Sequence, residues 1–307
     1  MKNNPSDPIF HDEDAAREHL EAQRWPDNKP VCPHCGETER VHRLHGKSHR
    51  KGLIQCNSCL LTFTVTVGTV MESSHVPLTK WVLGFHKMAA SKKGISAKQL
   101  QRELGLGSYR TAWFMAHRIR EAMRFDEPDP IGGEGKIVES DETYVGGKGS
   151  TAHKSKPIPK KHAVIALVER DGEVRAKHVP SVSIKTLREA LTKNADRKSH
   201  LMTDDSPASR PTRTMFEKHG VVVHSKGEYV KPDGITHTQT VESFFAILKR
   251  GVMGSFHSVS EQHLQRYVDE FAFRWNTRSS LGIEDVERAN RAMKGAVGKR
   301  LTYRQAN

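Results

Sequence analysis

The sequence predicts an α/β (α+β) protein in which a mixed-sheet domain follows a small four-cysteine ribbon and a helical segment. Three observations carry that prediction. All four cysteines of the 307-residue chain fall in two CxxC pairs, Cys32/Cys35 and Cys56/Cys59. Apolar residues then recur three or four apart from Leu78 to Met123, and strand-like and helix-like runs alternate from Lys136 onward. The boundaries that follow are an N-terminal segment and ribbon over 1–75, a helical segment over 76–126, the sheet domain over 127–290 and a basic tail over 291–307.

In the ribbon, "CPHC" and "CNSC" are separated by 20 residues. That spacing suits four thiolates closing a tetrahedron around structural Zn²⁺, with no position left open for chemistry. Two disulfides or a redox pair are the alternatives; disulfides do not suit a cytosolic chain, and a redox motif needs no second CxxC at ribbon spacing. The insert between the pairs holds Arg40, Arg43, Lys47, Arg50 and Lys51 and reads as a basic hairpin able to lie on DNA. His34, His42, His45 and His49 stand nearby, but four thiolates already complete the site. After the ribbon, "LTFTVTVGTVM" alternates as a strand that completes its sheet.

The helical segment opens with Trp81, Phe85, Met88 and Ala89 on one stripe. Ser96 is placed to cap a helix carrying Leu100 and Leu104, "GLG" at 105–107 breaks it, and a second helix from Ser108 offers Trp113, Ala116 and Met123 for packing. Two short helices joined by a glycine turn suggest a helix-turn-helix whose second helix enters the major groove, with a helical hairpin that buries the same pattern and binds nothing as the alternative. The stretch "FDEPDPIGGEG" at 125–135 reads as a linker.

In the sheet domain, strands are expected at "KIVESDETYV", "HAVIALVER", "EVRAKHVP", "HLMTDD" and "GVVVHSK", and helices at "SIKTLREALTKN", "SRPTRTMFEKH" and "TVESFFAILKRGV". The order β-β-β-α-β-α-β-α matches a ribonuclease H-like fold. A further amphipathic helix carries Leu264, Tyr267, Val268, Phe271 and Trp275. Arg266, Arg274 and Arg278 on or beside it are expected to line a DNA path, and "RANRAMKGAVGKRLTYRQAN" reads as a frayed basic end.

Charge points to the partner. Lys and Arg outnumber Asp and Glu by 49 to 36, for a net charge of +13, which favours a polyanion. No apolar run approaches the roughly 20 residues that span a bilayer, and the N-terminus lacks the apolar core of a secretion signal. A cytoplasmic, DNA-associated protein with no membrane partner is the expectation.

Against that basic background three acids stand out. Asp141 ends the first strand of the sheet domain, Asp204 ends the fourth, and Glu242 lies at the edge of the apolar stripe Val241, Phe244, Phe245 and Leu248 on the last helix of the set. A cluster of carboxylates is tolerable where divalent cations neutralise it, and oxygen ligands suit two Mg²⁺ or Mn²⁺ ions acting on a phosphodiester. Asp205 is the alternative to Asp204 as second ligand. Two-residue periodicity turns Glu142 to the opposite face from Asp141.

"SDETYVGGK", "MTDD" and "HTQTVESFFAILKRGVMGSFHSVSEQHLQRYVDEFAFRWNTR", together with the CxxC pairs, resemble the DDE insertion-sequence transposases of the branch with an N-terminal zinc ribbon. The resemblance runs from about Val31 to about Arg278. It implies a ribonuclease H-like catalytic domain, two catalytic divalent metals, and cutting and joining of DNA at element ends. Carried onto this chain it gives the triad Asp141, Asp204 and Glu242, with 37 residues between the last two. His257 in "GSFHSVS" and Asn276 in "FRWNTR" fall in family-like motifs without a role derivable from the residues. The expected partners are transposon ends and target DNA, with a homo-oligomer in the DNA complex. Two other readings stand beside it: a zinc-ribbon and helix-turn-helix regulator without catalysis, and a nuclease on the same fold.

Overall fold

The computed structural model describes residues 4–126, 129–146, 161–212 and 214–302. The middle of the 125–135 linker, Gly147 and Lys148 of the "VGGK" stretch, and the end of the basic tail from 303 lie outside them. Contacts divide the chain into two compact units, one of residues 1–91, 95–124 and 283–307, the other of residues 92–94 and 125–282.

The first unit begins with helix α1 (Glu13–Arg24), which is absent from the sequence-based expectations. Its N-cap Asp12 accepts from the Ala15 amide at 2.7 Å, and Glu13 and Asp14 fill its first turn. Strands β1 (Val41–Arg43), β2 (Ile54–Cys56) and β3 (Thr62–Phe63) form a three-stranded antiparallel sheet. The strand expected over "LTFTVTVGTVM" stops at Phe63. Beyond it the threonines turn the chain: the Thr64 and Thr66 hydroxyls meet at 3.0 Å, Thr69 Oγ1 donates to the Thr66 carbonyl, and Gly68 takes φ +72°.

Helices α2 (Leu78–Ala90), α3 (Ala97–Glu103) and α4 (Tyr109–Met123) follow. Ser96 and Ser108 cap α3 and α4, each accepting from an amide three residues on at 3.1 Å, and Gly105 takes φ +56° in the break between them. Trp81, Phe85, Met88, Leu100, Ala116 and Met123 are all buried.

The second unit holds a five-stranded sheet. Strands β4 (Ile137–Val145), β5 (His162–Glu169) and β6 (Val174–Val179) come first, then α5 (Ile184–Asn194), β7 (His200–Asp204) and β8 (Lys218–Val222). Their spatial order is β6-β5-β4-β7-β8, with β5 antiparallel to both neighbours and β4, β7 and β8 parallel. That is a mixed α/β sheet, as the alternation of strands and helices from Lys136 predicts.

Helix α5, closed by a Ser183–Thr186 capping box, packs on one face through Leu187 and Leu191 against Val138, Ile165 and Leu167. Helices α6 (Gln239–Gly251) and α7 (Glu261–Asn276) cover the other face, where Val241, Phe244, Leu248, Val268 and Phe271 meet Val164, Ala166 and Val168. A π-helical turn at Val252–Phe256 joins them. The last helix, α8 (Asp285–Lys294), belongs to the first unit.

Three expectations change. "SRPTRTMFEKH" forms only a 3₁₀ turn at Arg210–Thr212, because Pro211 has no amide to donate and Ser209 Oγ bonds the Asp204 carbonyl at 2.9 Å instead of propagating a helix. Strand β8 accordingly starts at Lys218, and His224–Lys226 is a 3₁₀ turn rather than its end. The segment expected to fray is folded as far as it is described: Ala296 is fully buried, its carbonyl accepts from Val70 N, and the Gly298 amide donates to Gly68 O.

Edge strand β6 is finished by side chains rather than by another strand. Asn276 of α7 accepts from the Val174 amide at 2.7 Å and donates to its carbonyl at 3.1 Å. Gln265, three turns earlier, accepts from the His178 amide and donates to the Ala176 carbonyl. This gives Asn276 a structural role.

Candidate active site

The ribbon is the tighter of the expected sites. The sulfurs of Cys32 and Cys59 lie 3.7 Å apart and those of Cys35 and Cys56 3.6 Å apart. All four fall within 4.8 Å of one another. Those separations exclude disulfides, and they approach the edge of about 3.8 Å of a tetrahedron with zinc–sulfur bonds near 2.3 Å. The four thiolates fit a structural zinc ion. Of the insert's basic residues, Arg43 pairs with Glu21 and Lys51 with Asp14, both on α1, while Arg40, Lys47 and Arg50 are exposed.

The carboxylates are assembled by strand register. Strand β4 runs parallel to β7 with Ile137 opposite His200 and Glu139 opposite Met202. The same offset carried two residues further brings Asp141 level with Asp204, the last residue of β7; Asp141 itself lies in the middle of β4, which continues to Val145, and does not end its strand as expected. Asp141 lies opposite Ala166 of β5, whose side chain packs with Val241 and Phe244 of α6, so this is the face that α6 covers. Glu242 sits in the first turn of α6, above that face.

Glu242 Oε1 accepts the Thr238 hydroxyl at 3.1 Å and lies 3.6 Å from His224 Nε2. Unlike the thiolates, the three carboxylates do not all lie within 4.8 Å of one another. Asp205 follows the end of β7. Glu142 lies opposite Ile165, which belongs to the α5 side of the sheet, as two-residue alternation requires.

The electrostatics match this crowding. Burial first, and then the charges of Asp204, Glu142 and Glu242, push the Asp141 carboxyl up to about 7, against the Glu142 amide that donates to it at 2.7 Å. Glu142 is also raised, by burial and then by Asp204. An oxygen-only donor set in which a buried Asp141 faces other carboxylates fits a hard divalent cation.

Two residues that sequence reasoning passed over hold this arrangement. Glu139 is fully buried, two residues before Asp141 and on the same face. Its carboxylate accepts from the Thr240 and Val241 amides at 2.7 and 2.9 Å, from the Thr240 hydroxyl at 2.8 Å and from Arg170 Nε at 2.7 Å, with His237 Nδ1 at 3.2 Å. It therefore caps the N-terminus of α6 from the sheet and ties the helix that carries Glu242 to the strand that carries Asp141. The available signal was a Glu at i−2 from Asp141, which strand periodicity puts on the same face. His224 is the other, and only the 3₁₀ turn after β8 brings it to Glu242.

Among the basic residues, Lys93, Lys249 and Arg250 line an open cavity of about 510 Å³ with Met253 and Ser255. The expected DNA-path arginines differ. Arg274 is buried, paired with Glu270 and stacked on Phe271, and Arg278 lies on Trp275 and donates to the Gly172 and Trp275 carbonyls. Only Arg266 is left without a structural assignment of that kind. His257 is exposed with φ +60° at the end of the π-helical turn.

Comparison with known proteins gives concordant matches. Residues 132–276 match the model of an ISXO2-like transposase domain, and residues 11–62 match a transposase zinc-ribbon domain. The chain is 31% identical over 269 residues to an uncharacterized protein in transposable element ISH50 of Halobacterium salinarum, a match covering 82% of this chain and 86% of that protein. Among solved structures, a chain of the simian T-cell lymphotropic virus intasome in complex with PP2A regulatory subunit B56 gamma aligns with a TM-score of 0.30 and 17% identity, over 58% of this chain and 64% of that one. The Mos1 transposase paired-end complex with left transposon end aligns with a TM-score of 0.27 and 14% identity, over 69% of this chain and 74% of that one.

Proposed function

Since the chain belongs to the ISXO2-like family of insertion-sequence transposases, we propose that Asp141, Asp204 and Glu242 are the catalytic carboxylates with which it cuts DNA at element ends and joins them to target DNA. The observation that supports this reading is the β4–β7 register, which, continued past Glu139 and Met202, brings Asp141 level with Asp204 on the face that α6 covers. Two Mg²⁺ or Mn²⁺ ions held by these oxygens supply charge neutralisation and a more acidic attacking hydroxyl.

The chain's own residues do the rest. The Asp141 carboxyl must lose its proton to serve as a ligand. Glu139 fixes the approach of α6, and with it the height of Glu242 over the strand ends. The Thr238 hydroxyl and His224 hold the Glu242 carboxylate from its far side. Lys249 and Arg250, two turns further along α6, and Lys93 offer cationic heads to a phosphate backbone. The ribbon and the α3–α4 pair recognise the element ends, with the exposed Tyr109 and Arg110 at the start of α4 as the first candidates for groove contact.

The test is incubation of purified protein with linear DNA carrying the element's ends, in Mg²⁺ or Mn²⁺. Nicks at the end followed by strand-transfer products are expected, and Glu242→Gln removes both. Nicks without joined products leave a nuclease; binding without nicks leaves a regulator.

A further inference from the structure

Outside the ribbon, one other group of side chains among the described residues brings three metal-competent atoms together: His162, His178 and Glu261, each offering a ligand atom within 4.8 Å of the others. Neither the carboxylate site nor the ribbon uses any of them.

Their convergence follows from register. Val164 of β5 lies opposite His178 of β6, and His162 is two residues before Val164, so both imidazoles rise from the face that α7 covers. The rings stand 5.8 Å apart, nearly perpendicular. Glu261 opens α7, and its Oε2 lies 3.6 Å from His162 Nδ1. The pair formed by Gln265 with the His178 amide at 2.8 Å and the Ala176 carbonyl at 3.3 Å docks α7 on β6, so the backbone under this cluster is already set.

A proton-based account covers only part of this. One carboxylate neutralises one imidazolium, and a second protonated ring beside the first would be repelled. Two neutral imidazoles and a carboxylate are instead a ligand set for a borderline transition ion such as Zn²⁺, Co²⁺ or Ni²⁺, and a poor one for Mg²⁺. Ligand atoms around a tetrahedral ion stand about 3.3 Å apart, and the Glu261 side chain, 46% exposed against 14% for His162, has the freedom to close that distance.

We propose that His162, His178 and Glu261 form a nitrogen-rich transition-metal site, separate from the carboxylates and the ribbon, that clasps the start of α7 to the edge of the sheet. Three protein ligands leave a coordination position to water, so the ion is exchangeable, unlike one closed in by four thiolates. Its occupancy raises the stability of the second unit by mass action, because the ligands converge only in the folded sheet.

The experiment uses the untagged full chain with its ribbon loaded with zinc, titrated with Co²⁺ and followed by visible absorption and by melting temperature. With excess Mg²⁺ present to keep the carboxylates of Asp141, Asp204 and Glu242 filled, one further equivalent is expected, with ligand-field bands, no thiolate charge-transfer band, and a rise in melting temperature. His178→Ala weakens its binding by more than about tenfold, since the loss of even an outer-shell partner costs that much. Glu261→Gln, at an exposed position where folding is not at risk, weakens it as well, and Asp141→Asn leaves it unchanged. No further equivalent, or one whose affinity and spectrum survive both His178→Ala and Glu261→Gln, overturns the site.

Discussion

The thiolate and carboxylate clusters of this chain are built on opposite plans. Four cysteines meet through two local CxxC turns and a short hairpin, and their sulfurs already sit at near-tetrahedral separations. Three acids from β4, β7 and α6 meet only because a parallel register and a helix cap align segments as much as a hundred residues apart, and their oxygens remain more widely spread. The first is closed and structural; the second stays open, its like charges crowding a buried Asp141. Local construction gives rigidity, and long-range construction leaves room for a substrate.

The comparison breaks most sharply at Asp141. Asp141→Asn should take end-cleavage below detection while the melting temperature stays at or above that of the parent, because the substitution removes a buried charge from a like-charged cluster. Nicking of DNA in Mg²⁺ by the Asp141→Asn variant would remove Asp141 from the site.

Cys56→Ser should do the reverse. Structural zinc in small fingers contributes on the order of 10 kcal/mol to folding, so losing one thiolate should unfold the ribbon, with hydrogen exchange rising across residues 31–66 and staying slow in β4, β5 and β7. Exchange that rises equally in both units would show that they are not separate in stability.

Acid should distinguish the units a third way. His86 on α2 is buried edge-on to Phe10, and burial pulls its imidazole down to about 4 from 6.5. Between those values the unfolded chain binds the extra proton, so stability is full above about pH 6.5 and falls as pH drops toward 4, by roughly 3 kcal/mol. Denaturant titrations of the parent and of His86→Leu across pH 4–7 should diverge by about that amount, and parallel curves would refute it.

Glu139→Gln carries the smallest expected effect. It keeps the shape but turns one acceptor into a donor facing the amides of Thr240 and Val241, for a loss of about 1–3 kcal/mol. If Glu139 positions α6, cleavage should fall more than stability explains, with bound DNA unchanged; a fall in DNA affinity instead would make it a surface determinant.

The same contrast decides what could be read from the sequence. The ribbon was legible because its information is local, in the spacing of four residues. The strands β4 to β7 and the helices α5, α6 and α7 were legible from local sequence, the helices by an apolar stripe and β5 by a continuous apolar run. A strand end nominates Asp204 and a stripe margin Glu242 without any knowledge of which strands are neighbours, whereas Asp141, expected at a strand end, lies mid-strand in β4.

What could not be read was what side chains do for backbones. Ser209 and Pro211 remove an expected helix, and Glu139 becomes a cap because the amides it serves are a hundred residues away. Charge alone assigns Arg274 and Arg278 to DNA, whereas Glu270, Phe271 and Trp275 hold them in the fold.

The amide ladder that Gln265 and Asn276 lay along β6 has a consequence for assembly. An uncovered border strand invites another chain to extend the sheet, but here the Val174 amide and carbonyl, the Ala176 carbonyl and the His178 amide are already bonded to side chains of α7. A further strand could add at this rim only by displacing the α7 side chains from those groups.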